Sequence, residues 1–319
     1  GPGVYGSFTT HPPVTYTGVG ESTGTGRRWH HFNYGLVKGD DGYYYAGTGT
    51  QYDNAQDRYE QGRDRCAVLK MDLRAGTVQT VAAGLRSPNG WGKGPGGDIF
   101  FTDPPYGLPQ GVTQEIPFQG VYKLSEGNVT LLVDSLTRPN GIALTPDEKT
   151  LIIANSDPAQ VRWYAYDLSE DDALINGRIF YDAGEEAKRK SGMPDGLKVD
   201  TQGNVYATAP GGVWVFDPNG IKLGEIECPE MVANLHWGGD DWQTLFLCAT
   251  TSLYSVRMRV RGRREPFMRA GEAQPQTASP TPPPQSSLRF EPRRTALIIQ
   301  DMQNDVIMDG GAFADSGSP

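Results

Sequence analysis

Short runs rich in β-branched and aromatic residues, such as Val213-Trp214-Val215-Phe216, recur between turns that carry Gly, Asp or Asn. That pattern is one of buried strands. The runs repeat in a fixed order. Asn33, Asn89, Asn140, Asp195 and Asn234 each stand ahead of a short apolar stretch, which a turn separates from a second strand beginning near Tyr43, Ile99, Leu151, Val205 and Leu245. Third strands follow at Ala67 to Leu73, Val121 to Leu124, Val161 to Leu168, Val213 to Phe216 and Leu253 to Val256. Fourth strands are visible at Val78 to Val81, Val129 to Val133, Arg178 to Tyr181 and Ile221 to Ile226.

A period of roughly 40 to 55 residues is the spacing of propeller or solenoid repeats. A four-stranded unit cannot bury both of its faces alone, whereas radial stacking buries them all. The pattern therefore predicts an all-β propeller whose innermost strands carry the recurring Asn or Asp. Five such side chains would converge at one end of a central channel, where their oxygens could hold a cation. The competing explanation is that Asn-Gly and Asp-Gly are ordinary turn dipeptides. Pro218-Asn219-Gly220 shares its letters with Pro139-Asn140-Gly141 but falls between a third and a fourth strand, where a hairpin turn is expected.

Composition narrows the partners. With 29 Lys+Arg against 38 Asp+Glu the net charge is −9, which argues against nucleic acid or an anionic membrane and for a small-molecule substrate. No uninterrupted apolar run approaches the roughly 20 residues that span a bilayer. Cys66, Cys228 and Cys248 lack a C-x-x-C spacing and are expected to be buried thiols, not a disulfide framework or a thiolate zinc site. The 41 glycines and 24 prolines favour short strands and tight turns. Nothing separates a cytoplasmic from a periplasmic location.

Residues 86 to 258 resemble the gluconolactonase and senescence-marker-protein family, also called luciferin-regenerating-enzyme-like proteins. The resemblance rests on Ile99-Phe-Phe-Thr-Asp-Pro-Pro-Tyr-Gly107, Pro117-Phe-Gln-Gly-Val-Tyr122, Arg138-Pro-Asn-Gly-Ile-Ala-Leu-Thr-Pro-Asp-Glu148, Pro194-Asp-Gly-Leu-Lys-Val-Asp200 and Val232-Ala-Asn-Leu235 through Gly239. It implies a six-bladed propeller, of which five blades are legible here, with a divalent cation (Ca, Mg, Mn or Zn) in the channel and hydrolysis of small sugar lactones. Carried over by position, Asn140 and Asp195 are implied metal ligands, with Asp195 also the general base. Asn89 is implied at the border of metal and substrate, and Asn234 and Tyr106 beside the substrate. The chain departs from the family in having Gly90 after Asn89 where an Asp is common, and in lacking a Glu-Gly-Pro motif for a third ligand; Glu21 is the only acid before Asp40.

The ends differ from the repeat. Residues 1–29 form a Gly/Thr/Pro-rich segment, 30–264 the propeller and 265–293 a Pro/Ser/Gln-rich linker. Arg261 to Arg264 are expected to form a solvated strand end. Residues 294–319 resemble the opening strand of an isochorismatase-like cysteine hydrolase, in which Asp301 would be the triad acid. No matching Lys or Cys follows, so this is expected to be an orphan strand, the truncated start of a second α/β domain without activity. His30-His31-Phe32-Asn33 also resembles propellers of the sugar-dehydrogenase type, although strand-edge packing accounts for both histidines. Three functions are consistent with these features: a metal-dependent lactonase, a non-catalytic binding propeller with an incomplete metal site, and a sugar dehydrogenase.

Overall fold

The computed structural model describes residues 34–48, 67–72, 75–106, 116–170 and 173–264. Glu21, His30, His31, Asn33, Cys66, the linker and the segment bearing Asp301 lie outside the described residues. Five antiparallel meanders follow one another. Sheet 1 holds β1 (Tyr34–Lys38), β2 (Tyr44–Thr48), β3 (Ala67–Asp72) and β4 (Thr77–Ala83). Sheet 2 holds β5 (Trp91–Lys93), β6 (Ile99–Asp103), β7 (Gln119–Ser125) and β8 (Asn128–Leu136). Sheet 3 holds β9 (Pro139–Leu144), β10 (Thr150–Asp157), β11 (Gln160–Leu168) and β12 (Leu174–Asp182). Sheet 4 holds β13 (Leu197–Val199), β14 (Val205–Ala209), β15 (Gly212–Phe216) and β16 (Lys222–Glu227). Sheet 5 has three strands, β17 (Val232–Gly238), β18 (Thr244–Ala249) and β19 (Leu253–Arg257). The fold is an all-β propeller with five blades among the described residues.

Burial explains why the sequence pattern was legible. The second strands β6, β10 and β14 are buried on both faces almost throughout, whereas the outermost β8, β12 and β16 are largely exposed. Four apolar cores fill the gaps between successive sheets. Phe101 and Tyr122 meet Tyr45 and Val68 between sheets 1 and 2, and Phe100 meets Ile142 and Leu151 between sheets 2 and 3. Trp163 packs on Trp214 and Phe216 between sheets 3 and 4, with ring centroids 5.9 and 5.3 Å apart, and Tyr206 meets Trp237 between sheets 4 and 5. Buried aromatics of this size supply most of the apolar surface that the stacking removes from water. Lys93, buried on β5, is ion-paired with Asp40 in the β1–β2 turn, so the charge does not stand alone in the wedge.

Near the axis the sheets meet backbone to backbone. A β-carbon on Gly90 would overlap the carbonyl oxygen of Asn140, one on Gly141 the carbonyl of Asp195, and one on Gly196 the side chain and Cα of Asn234. None of these glycines has positive φ; they are required by close approach, not by a turn. Gly220 is the opposite case, with φ 86° in a hairpin that Asp217 caps through the N–H groups of Asn219 (2.9 Å) and Ile221 (2.8 Å). Asn140 and Asn234 were expected to precede their strands, but they lie within β9 and β17. There the register shifts between Pro139 and Ile142 and between Val232 and Asn234, and such bulges re-aim side chains.

Two further expectations need correction. Of Arg261 to Arg264, Arg261 is exposed as expected of a solvated strand end, but Arg263 is not. Arg263 is largely buried, donating to the Leu144 carbonyl (3.1 Å) and pairing with Glu148 (2.6 Å), while its N–H donates to Val199 (3.0 Å) and Gly262 bridges to Asp200. The segment thus crosses the ends of β9 and β13 opposite Asn140 and Asp195. Cys228 and Cys248 form no disulfide, and they are half-buried where buried thiols were expected.

At the other end, the buried Asp103 carboxylate at the close of β6 accepts the N–H groups of Arg86 (3.0 Å) and Ser87 (2.6 Å), which fixes the chain just before Asn89. Burial pushes its pKa up to about 6, outweighing those bonds and the charge of Arg86. Because the folded state holds this proton more tightly than the unfolded chain, the group's contribution to stability is fully present below the ordinary value of 3.8 and is lost progressively as pH rises to about 6.

Two outcomes are expected from urea unfolding. Gly141→Ala costs about 1–3 kcal/mol or more, since a backbone carbonyl cannot swing aside, whereas Gly224→Ala, with open space and ordinary φ, is neutral or slightly stabilising. The stability of the wild type relative to Asp103→Asn falls between pH 4 and pH 7, by a difference on the order of 3 kcal/mol.

Candidate active site

The close approaches at Gly90, Gly141 and Gly196 put Asn89, Asn140, Asp195 and Asn234 in one contiguous arc on the innermost segments of sheets 2 to 5. Three are buried amides, with Asn89, Asn140 and Asn234 at 2, 3 and 2% exposure; Asp195 is only half-buried. Two threonines hold the arc. Thr102 on β6 accepts the N–H of Gly90 (2.9 Å) and donates its hydroxyl to the Asn140 carbonyl (2.7 Å), so it ties sheet 2 to sheet 3. Thr208 on β14 accepts the N–H of Asp195 (2.8 Å), and the N–H of Gly196 donates to Ala233 in sheet 5 (2.9 Å).

The side chains differ in what they leave available. Asn140 donates from Nδ2 to the Tyr106 hydroxyl (2.9 Å), while its Oδ1 is buried with no protein hydrogen-bond partner. An orphaned buried oxygen is costly unless something outside the protein completes it. Asn234 Oδ1 already accepts the N–H of Leu235 (2.8 Å). Among the described residues no three His, Cys, Asp or Glu side chains converge, and no glutamate takes the place of the missing third ligand. The donor set is oxygen-based and rich in amides, with one carboxylate. That chemistry fits a hard divalent cation.

Residues not singled out from the sequence line the same strands. Lys198 on β13 and His236 on β17 are partly exposed although their strand neighbours Leu197, Val199, Leu235 and Trp237 are buried. Burial, and then the charge of Lys198, pull the His236 pKa down to about 4. The ring is therefore neutral at neutral pH, and its contact with the Trp237 carbonyl (2.7 Å) requires the proton on Nδ1. Thr102 and Thr208 carried no sequence signal, since threonine is common in strands. Asp103 did carry one, as a lone acid closing the apolar run from Ile99.

Residues 93–251 match the model of the SMP-30/Gluconolactonase/LRE-like region. The chain is 36% identical over 185 residues to a gluconolactonase of Zymomonas mobilis, covering 56% of this chain and 52% of that protein. It is 29% identical over 126 residues to a pentonolactonase of Haloferax volcanii, covering 39% and 42%; it thus spans about half the length of these relatives. A solved gluconolactonase structure from Xanthomonas campestris superposes with a TM-score of 0.57 at 28% identity, covering 73% of each chain. The matched span holds β6 to β18 with Asn140, Asp195 and Asn234, and residues 93–251 of the chain are an SMP-30/gluconolactonase/LRE-like region.

Proposed function

We propose that this protein is a metal-dependent lactonase that opens small sugar lactones. The observation that carries the reading is the buried, unpartnered Oδ1 of Asn140, set in an arc with Asn89, Asp195 and Asn234. The relatives named as gluconolactonase and pentonolactonase support the substrate class.

Asn140 and Asp195 would hold the cation, with Asn89 beside it. When bound, such an ion polarises the lactone carbonyl and stabilises negative charge on its oxygen. The chain's own part is proton transfer and orientation. Asp195, half-buried at the mouth of the arc, accepts a proton from water as the water oxygen bonds to the carbonyl carbon. It returns that proton to the ring oxygen as the C–O bond breaks, giving an open hydroxy acid. The amides of Asn89 and Asn234 orient the sugar hydroxyls. Residues 261–263 lie across the opposite ends of β9 and β13, so substrate enters from the Asn and Asp side.

A second reading, a non-catalytic binding propeller, is favoured by two observations: Gly90 supplies no carboxylate, and among the described residues no third acid joins Asp195. Calorimetric titration with Ca²⁺, Mg²⁺, Mn²⁺ and Zn²⁺, together with pH-stat hydrolysis of gluconolactone, separates the two. The lactonase reading expects saturable binding of one of these ions, activity abolished by chelation and restored by that ion, and a loss of roughly 10²- to 10⁴-fold in kcat for Asp195→Asn with an unchanged circular dichroism spectrum. A chain that neither binds a divalent ion nor hydrolyses the lactone would leave the binding-module reading.

A further inference from the structure

Tyr106 follows Pro104-Pro105 at the end of β6, and its phenol oxygen accepts the Nδ2–H of Asn140 from the neighbouring sheet at 2.9 Å. An asparagine amide has two ends of nearly equal shape and opposite chemistry. Only the oxygen can bind a cation; the NH₂ end repels one. Here the nitrogen end is held by the phenol and the oxygen end is buried without a protein partner. The phenol is itself anchored. The Tyr106 carbonyl accepts the Nε–H of Arg86 (2.9 Å), and the backbone N–H groups of Arg86 and Ser87 are clamped by the Asp103 carboxylate (3.0 and 2.6 Å). A continuous path therefore runs from a buried carboxylate, through Arg86 and Tyr106, to the back of an amide whose oxygen is left open.

We propose that Tyr106 is a positioning residue for the metal ligand Asn140, presenting its Oδ1 to the cation by holding Nδ2, and that Arg86 acts on the site through Tyr106. This assigns Tyr106 a different part from the substrate contact implied by the resemblance, and it rests on the lactonase reading in taking Asn140 as a ligand. Groups that hydrogen-bond the far side of a metal ligand commonly set affinity by 10- to 100-fold.

The test is direct calorimetric titration of the full-length protein with the divalent ion that the wild type binds, followed by kinetics at saturating metal. Tyr106→Phe removes one oxygen and keeps the ring. It is expected to weaken metal binding roughly 10- to 100-fold while leaving the KM for lactone at saturating metal within about twofold of wild type. Arg86→Gln is the second variant. It is expected to weaken metal binding less than Tyr106→Phe and to add nothing in the double variant, as residues acting through a shared partner do. A Tyr106→Phe protein with wild-type metal affinity and a raised KM would overturn the proposal and restore the substrate contact, and additive effects of the two variants would overturn the path through Arg86. A wild type that binds no divalent ion would sink the lactonase reading itself, a result distinct from either of these.

Discussion

The structure depends on how closely backbones can approach at the axis of a wedge. Sheets 2 to 4 bury both faces of their second strands, so neighbouring sheets must pack face to face, and radial packing narrows toward the centre. At Gly90, Gly141 and Gly196 the gap has closed to the point where no side chain fits between one strand and the carbonyl or Cα of the next. Those contacts fix the spacing of the sheets. They also place the residue before each glycine against its counterpart in the next sheet, and this is how residues roughly 50 positions apart come to line one arc.

The same crowding shapes the chemistry of the arc. Burial is expensive for charge, as the upward shift of Asp103 to about 6 and the downward shift of His236 to about 4 show. Amides carry ligand oxygens into such surroundings without that penalty. The three deeply buried members are accordingly asparagines, and the one acid, Asp195, sits where it keeps contact with solvent. Charges that do go deep are matched: Lys93 is paired with Asp40, and Arg263 with Glu148 and the Leu144 carbonyl. If Asn140 is a ligand, its amide must still be turned the right way, and the Tyr106 phenol that accepts its Nδ2–H would do the turning.

Much of this was legible beforehand. Strand order and most strand starts follow from runs such as Ile99 to Asp103 and Val213 to Phe216, because strands buried on both faces must be continuously apolar and β-branched or aromatic. The repeat then marks Asn89, Asn140, Asp195 and Asn234 as equivalent positions, and the family resemblance falls on the same residues. What was not legible belongs to contacts between sheets. Asn140-Gly141 and Asn219-Gly220 share their letters, yet one glycine makes room for a neighbouring carbonyl and the other supplies a positive φ. Arg263 looks like any arginine near a strand end until the chain returns beneath β9 and β13.

The sequence by itself determined the all-β character, the repeat and the residues that share a place in it, since these are set by local periodicity and side-chain type. Only the tertiary structure decided which oxygen is left open, which amide end a neighbouring side chain holds, and which charges are paired. Those outcomes depend on side chains from different sheets meeting within about 3 Å of one another, and no pattern along a single chain encodes that distance.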